Sequence, residues 1–193
     1  NVPNESYICP KCGWTMTFYG AQAQCCNKSC LKNIPKKDDL KPLRFQDGNW
    51  RLRHGVMRYM CLPGQLELKI QKIAEKCGCG AELWPDRDKY DVKITLPDGQ
   101  VWAIDAKTHR NPYMLKKSIE KDYVFTHTKA QKVFYVVPDD CLTDYPDYCK
   151  ICNDALASSF PDSIAKCVSM RIFSKKLKGE VEDVKLRNYQ KKS

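Results

Sequence analysis

The spacing of apolar and polar positions predicts a β-hairpin between residues 90 and 107, where two alternating runs flank a turn signal. Pro97-Asp98-Gly99 favours a type I turn followed by a glycine in the left-handed bulge position. That turn places Leu96 opposite Gln100 and thereby sets the register of the whole hairpin. The pattern therefore predicts two antiparallel strands with a fixed set of facing residues.

Apolar runs and stripes predict further elements on either side of the hairpin. A helix is predicted at about 66–76, a short strand at 81–84, a helix at 113–122, a strand at 132–137, a helix at 148–160 and a last strand at 167–173. The run at 132–137 is continuously apolar, as in a central strand covered on both faces. The order helix, three strands, helix, strand, helix, strand predicts an α/β fold with a mixed sheet.

The hairpin register places two carboxylates on one face, because Asp91 falls opposite Asp105. Facing side chains in a sheet lie about 5 Å apart, so a cation or a shared proton must relieve their repulsion. Lys107 lies two residues beyond Asp105 and therefore on the same face. Alternatively, an exposed hairpin carries such charges outward to protect a sheet edge, and Lys107 is then an ordinary strand lysine.

The chain carries a formal net charge of +10, which favours an anionic partner, most simply nucleic acid. A merely solvated basic surface would have the same composition. No apolar run approaches the roughly 18 residues of a membrane span, and no secretory signal pattern is present. We therefore expect a cytoplasmic protein with no membrane partner.

Five of the twelve cysteines occur near the start of the chain at metal-ligand spacing. Cys9-Pro-Lys-Cys12 supplies one pair of thiolates, and Cys25-Cys26-Asn27-Lys28-Ser29-Cys30 supplies a second. Four thiolates complete a tetrahedral structural zinc site, which this spacing favours over disulfides or free thiols. The third ligand is Cys25 or Cys26, and the C-x-N-x-x-C spacing favours Cys25.

These patterns divide the chain into a zinc ribbon at 1–34, a polar linker at 35–50 and a larger domain at 51–193. The ribbon is too small to fold without its metal. The lysine-rich segment 175–192 also contains acidic residues, so we expect a solvated basic tail, although contact with phosphates is the alternative.

The remaining metal-ligating residue types give weaker signals. Cys149-x-x-Cys152 is a second knuckle-like pair, with Cys61, Cys77, Cys79, Cys141 and Cys167 as possible companions. We expect these cysteines to be reduced and partly buried, with a second metal site as the alternative. His54, His109 and His127 have no partner at metal-ligand spacing, and His109 is expected to be a loop residue.

Asp91 followed by Asp105-Ala106-Lys107, within an αβββαβ order, resembles the PD-(D/E)xK nuclease superfamily, which includes restriction endonucleases and archaeal-type junction resolvases. The likeness covers roughly residues 62–138, and Tyr-Asp replaces the Pro-Asp of the motif. A closer likeness is carried by four further stretches. Arg51 to Val56, Leu62-Pro63-Gly64, Glu82-Leu83-Trp84-Pro85 and Val101 to Lys107 resemble the restriction-endonuclease-like proteins that accompany prokaryotic PIWI-RE modules in defence islands.

The resemblance implies a metal-dependent endonuclease that hydrolyses DNA in prokaryotic defence, with a PIWI-RE protein and a helicase as possible partners. It implies that Asp91 and Asp105 hold Mg²⁺ or Mn²⁺ through hard oxygen ligands. Lys107 would orient the attacking water or stabilise charge on the phosphate, and Glu67 would bind a second ion or a water. For Glu67 the alternative is plain surface charge. The alternative functions are a catalytically silent DNA-binding or docking subunit and a dimeric Holliday-junction resolvase.

Overall fold

The computed structural model describes residues 6–25, 27, 30, 36–40, 42 and 50–190. The chain forms two compact units, Asn1–Gly64 and Gln65–Ser193. Cys26 and most of the predicted linker lie outside the described residues. Within the described part, no helix is both long and apolar enough to cross a membrane.

The first unit contains a small antiparallel sheet of three strands in sequence order. Its elements are β1 (Tyr7–Ile8), β2 (Thr15–Tyr19), β3 (Gln22–Gln24), a 3-10 turn (Lys37–Asp39), the short helix α1 (His54–Val56) and a π-helical turn (Met57–Cys61). Its hydrophobic cluster consists of the buried residues Tyr7, Cys9, Met16 and Cys30. A core of this size supplies little hydrophobic stabilisation, so this unit is of the kind that needs a metal or another crosslink.

The second unit is a five-stranded sheet with helices on both faces. Along the chain come α2 (Leu62–Lys76, which starts at the end of the first unit), β4 (Gly80–Leu83), α3 (Pro85–Asp88), β5 (Val92–Thr95), β6 (Val101–Ala106), α4 (Pro112–Ile119), α5 (Tyr123–Thr126), β7 (Lys132–Val137), α6 (Asp140–Asp144), α7 (Tyr148–Ser159), β8 (Ala165–Ser169) and α8 (Met170–Gln190). The strands lie in sequence order, antiparallel from β4 to β6 and parallel from β6 to β8. The predicted αβββαβ order and the mixed sheet are confirmed.

The hairpin of β5 and β6 has the register that its turn predicts. Val92 pairs with Ile104 and Lys93 with Ala103. At the turn, the backbone N–H of Leu96 donates to the carbonyl of Gln100 at 2.9 Å, and Gly99 has a φ of 87°. A left-handed φ is what the glycine at this position allows.

The sheet separates two apolar cores. On one face, Trp102, Ile104 and Phe134 pack with residues of α2 and α8. On the other face, Ala103 and Tyr135 pack with residues of α4 and α7. The strand β7 contributes to both cores, which confirms its predicted position inside the sheet.

The C-terminal segment differs from its prediction in two respects. The last strand ends at Ser169, and the chain from Met170 is helical rather than extended. The predicted solvated tail is therefore wrong. Four residues of α8 that recur every three or four positions are buried in the core: Phe173, Leu177, Val181 and Val184. This spacing is that of an amphipathic helix, with lysines on the exposed side.

Candidate active site and cysteine cluster

Asp91 and Asp105 lie side by side at the end of the hairpin, one step beyond the paired residues Val92 and Ile104. An Asp91 Oδ2 oxygen accepts the backbone N–H of Ala106 at 2.6 Å. The Asp105 side chain is hydrogen-bonded to that of Asp91, and only 6 % of Asp105 is exposed. Burial raises the pKa of Asp105 well above its usual value, and the neighbouring Asp91 adds to the effect. A cation is one way to relieve the repulsion between the two carboxylates.

Lys107 completes a compact charged group with these carboxylates. Its Nζ lies 2.7 Å from Oδ2 of Asp105, while its backbone N–H donates to the carbonyl of Val136 at 2.9 Å. Burial disfavours the ammonium ion, but attraction to Asp105 outweighs it and raises the pKa of Lys107. Lys107 therefore remains a cation beside the carboxylates.

Glu67 is buried on α2, with 8 % of the residue exposed. Its Oε2 accepts the indole N–H of Trp84 at 2.8 Å. Burial of this kind excludes the alternative of plain surface charge. The structure does not bring Glu67 into one close group with Asp91 and Asp105: among the described residues, only four cysteines form a cluster of three or more potential ligands.

Trp84 links Glu67 to the aspartate pair and was not predicted as a site residue. Its backbone N–H donates to the carbonyl of Asp91 at 2.9 Å, while its indole bonds Glu67. Trp84 has a φ of 51°, and Asp86 and Arg87 after it are also left-handed. Positive φ is unfavourable for bulky residues, at about 1–3 kcal/mol each, and such strain concentrates at functional sites.

Tyr135 and Asp122 form a hydrogen-bonded pair beside Asp105, and the sequence analysis also missed this pair. Tyr135 pairs with Asp105 in the parallel register and is fully buried. Its hydroxyl donates to Oδ2 of Asp122 at 2.8 Å, and Asp122 also caps α5 by accepting the N–H of Phe125 at 3.2 Å. The Asp122 charge contributes to the raised pKa of Lys107. No local sequence signal identifies this pair, because the contact between Tyr135 and Asp122 depends on how the strands pack.

Asp91 and Asp105 fit a divalent cation by the chemistry of their donor atoms. They are two hard oxygen donors in contact, one of them buried, and their mutual repulsion is the feature that a dication would neutralise. Mg²⁺ is commonly held by one or two carboxylates, with waters and substrate phosphates completing its shell. The pair is therefore sufficient for such an ion.

The first unit contains a separate four-cysteine cluster. The sulfur atoms of Cys9, Cys12, Cys25 and Cys30 all lie within 4.8 Å of one another. The Cys12 and Cys25 sulfurs are 3.6 Å apart. Sulfurs bound to one zinc at about 2.3 Å stand about 3.8 Å apart, so the cluster is compatible with tetrahedral zinc. Cys25 occupies the predicted third position.

Backbone turns hold these cysteines in place. The N–H of Gly13, whose φ is 70°, donates to the carbonyl of Cys9 at 2.9 Å. Burial and the neighbouring sulfurs raise the pKa of Cys30 to about 12 and also raise that of Cys25. Grouped thiolates are thus unfavourable without a cation, and a dication supplies the missing charge.

The other predicted candidates form no further metal cluster among the residues that the structure describes. The thiol of Cys167 contacts those of Cys149 and Cys152 between β8 and α7, and all three are reduced. The described structure therefore favours reduced cysteines here. His109 lies in a loop, and His127 stacks on Tyr123 with ring centroids 3.9 Å apart.

Comparison with known families matches residues 64–184 to a family described as REase associating with pPIWI_RE. The matched segment contains Glu67, Asp91, Asp105 and Lys107. No curated protein matches the chain, and no solved structure matches it. Since the match covers more than half of the sequence, the chain belongs to the family of restriction endonucleases (REases) associating with pPIWI_RE.

Proposed function

We propose that this protein is a metal-dependent endonuclease that hydrolyses phosphodiester bonds in DNA. The observation that carries the proposal is the contact of two facing aspartates with a charged lysine at the end of β6. Asp105 touches both Asp91 and Lys107, and it is buried. Contact between two carboxylates, one of them buried, is unfavourable unless a cation or a proton relieves their repulsion, and a bound divalent cation would do so.

Asp91 and Asp105 would hold Mg²⁺ or Mn²⁺, which when bound neutralises phosphate charge and lowers the pKa of a water. Lys107 keeps its proton beside Asp105, so it can donate a hydrogen bond to a phosphate oxygen or to the attacking water. The N–H of Ala106 fixes the Asp91 carboxylate. We assign Lys107 the role of stabilising charge that develops on the phosphate.

We assign Glu67 to a supporting role that reaches this pair through Trp84. Its carboxylate accepts the Trp84 indole, and the Trp84 backbone bonds Asp91. In this arrangement Glu67 fixes the segment around Trp84 that positions Asp91. Alternatively, Glu67 binds a water or a second ion next to Asp91. The family association further supports a role in prokaryotic defence beside a PIWI-RE protein, with DNA as substrate and a helicase as a possible additional partner.

We also infer that the four-cysteine cluster holds a structural zinc ion. Cys9, Cys12, Cys25 and Cys30 lie close enough for one tetrahedral ion, and few other buried residues stabilise this unit. The zinc would therefore stabilise the fold of the first unit and take no part in hydrolysis.

Cleavage of supercoiled plasmid by the purified chain tests the proposed activity. The reaction is run with Mg²⁺, Mn²⁺ or EDTA, with Asp105→Asn and Lys107→Met as site variants. Asp98→Asn and Lys93→Met are matched controls, because both residues belong to the same hairpin but lie outside the aspartate pair. We expect metal-dependent nicking that falls about 100-fold or more in the site variants only.

A folded, zinc-loaded chain that is no more active than Asp105→Asn would contradict the nuclease assignment. The alternative of a catalytically silent DNA-binding or docking subunit would then hold. Equal losses in the site variants and the controls would indicate a general effect of charge on DNA binding instead.

A further inference from the structure

A positively charged groove of about 610 Å³ runs between α2 and α8 on the second unit. Four exposed cations line it: Lys69 from α2, and Arg171, Lys175 and Lys178 from α8. Asp139 and Glu182 are the acidic residues in its lining. The groove therefore carries an excess of positive charge.

The cations of this groove differ from other cations of the second unit. Among the residues that the structure describes, none of the four takes part in an ion pair with Asp or Glu. By contrast, Lys132 and Arg187 both pair with Glu180. The Asp139 carboxylate accepts the backbone N–H of Arg171 at 2.9 Å, so one of its oxygens is engaged in capping α8. Clustered cations that outnumber the acidic residues beside them attract an anionic ligand.

The groove opens at the same end of the sheet as the candidate active site. Ala106 at the end of β6 pairs with Val136 of β7, and Val137 pairs with Ser169 of β8. Lys107 follows directly after β6, and Arg171 is the second residue after β8. The strands β6 and β8 are two steps apart in the sheet, or about 10 Å. Measured along the axis of a DNA duplex, about 10 Å spans about three base-pair steps.

We propose that this groove binds the phosphate backbone of a nucleic acid on its way to the aspartate pair. The proposal rests on the proposed nuclease function for the identity of the ligand. Lys and Arg side chains neutralise phosphates without recognising sequence, and exposed flexible lysines suit that task. Proximity to the catalytic candidates favours nucleic acid over an acidic protein surface.

Binding rather than cleavage is the appropriate measurement, because it separates this proposal from the nuclease assignment. The full chain carrying Asp105→Asn is titrated with a labelled DNA duplex in EDTA over a range of salt concentrations. The test variant adds Lys69→Glu and Lys178→Glu. The control adds Lys166→Glu and Lys176→Glu, which cause the same change in net charge.

The control residues are matched in position as well as in charge. Lys176 lies two residues from Lys178 on the same helix but lines a different groove. Lys166 is exposed near the start of β8 and lines the same groove as Lys176. All four substituted side chains are exposed, so both variants are expected to fold.

We expect the groove variant to bind at least 10-fold more weakly than the parent, with a salt slope reduced by about 2 because two phosphate contacts are lost. The control variant should bind like the parent. Equal binding by the two variants, or a larger loss in the control, would overturn the proposal, as would absence of duplex binding by the parent. Binding of labelled poly-glutamate that the groove variant loses, with no binding of the duplex by the parent, would assign the groove to an acidic protein instead.

Discussion

The ammonium group of Lys107 lies 2.7 Å from Oδ2 of Asp105, and it supplies the positive charge beside a carboxylate that is almost completely buried. Removing one partner of such a pair leaves the other charge without compensation, whereas removing both does not. This asymmetry can be measured in the metal-free protein, independently of catalysis.

Lys107→Met should lower the free energy of unfolding by about 1–3 kcal/mol. The double variant with Asp105→Asn should recover part of that loss, with a coupling energy of about 0.5–3 kcal/mol. Urea denaturation in EDTA measures both quantities. Lys93→Met is the control, since Lys93 pairs with an exposed Glu82 at 3.4 Å and should change stability by about 0.5 kcal/mol or less. Additive effects in the double variant would contradict the coupling.

Two substitutions at Asp91 should separate its structural contact from its proposed role in metal binding. Its Oδ2 accepts the Ala106 N–H at 2.6 Å, and an asparagine oxygen can accept the same bond. Asp91→Asn should therefore keep stability within about 0.5 kcal/mol, while Asp91→Ala should lose about 1–2 kcal/mol. Both should lose metal-dependent cleavage. An active Asp91→Asn variant would show that the carboxylate charge is not needed.

The hairpin could be predicted because its determinants are local. Pro97-Asp98-Gly99 selects the turn, the turn sets the register, and the register places Asp91 beside Asp105. No structure was needed for that inference, since each step depends on neighbouring residues.

Glu67 and Trp84 could not be paired in the same way. They are 17 residues apart, and their hydrogen bond depends on how α2 packs against the sheet and on a left-handed backbone at Trp84. The contact of Tyr135 with Asp122 is similarly nonlocal. Sequence patterns identify such residues only as helix, strand or loop members.

The helix α8 was mistaken for a tail because its lysines dominate its composition. Leu177 is fully buried, whereas its neighbour Lys176 is exposed. Leu177→Ala should therefore destabilise the protein by about 2–5 kcal/mol, and Lys176→Ala should change stability by about 0.5 kcal/mol or less. Thermal or urea unfolding of the two variants distinguishes a core helix from a solvated segment. Similar small effects at both positions would contradict the packing of α8.

Removal of the proposed zinc should destabilise the first unit before the second. Cys12 contributes one of four grouped sulfurs, and the unit buries few other apolar residues. We expect one zinc per chain by elemental analysis, and loss of amide-exchange protection in β1–β3 after chelation. Cys12→Ser should lose the zinc. Cys61→Ser is the control, because Cys61 is partly buried in the same unit but lies outside the cluster. A Cys12→Ser protein that still holds one tightly bound zinc, with β1–β3 protected, would show that these four thiolates are not its ligand set.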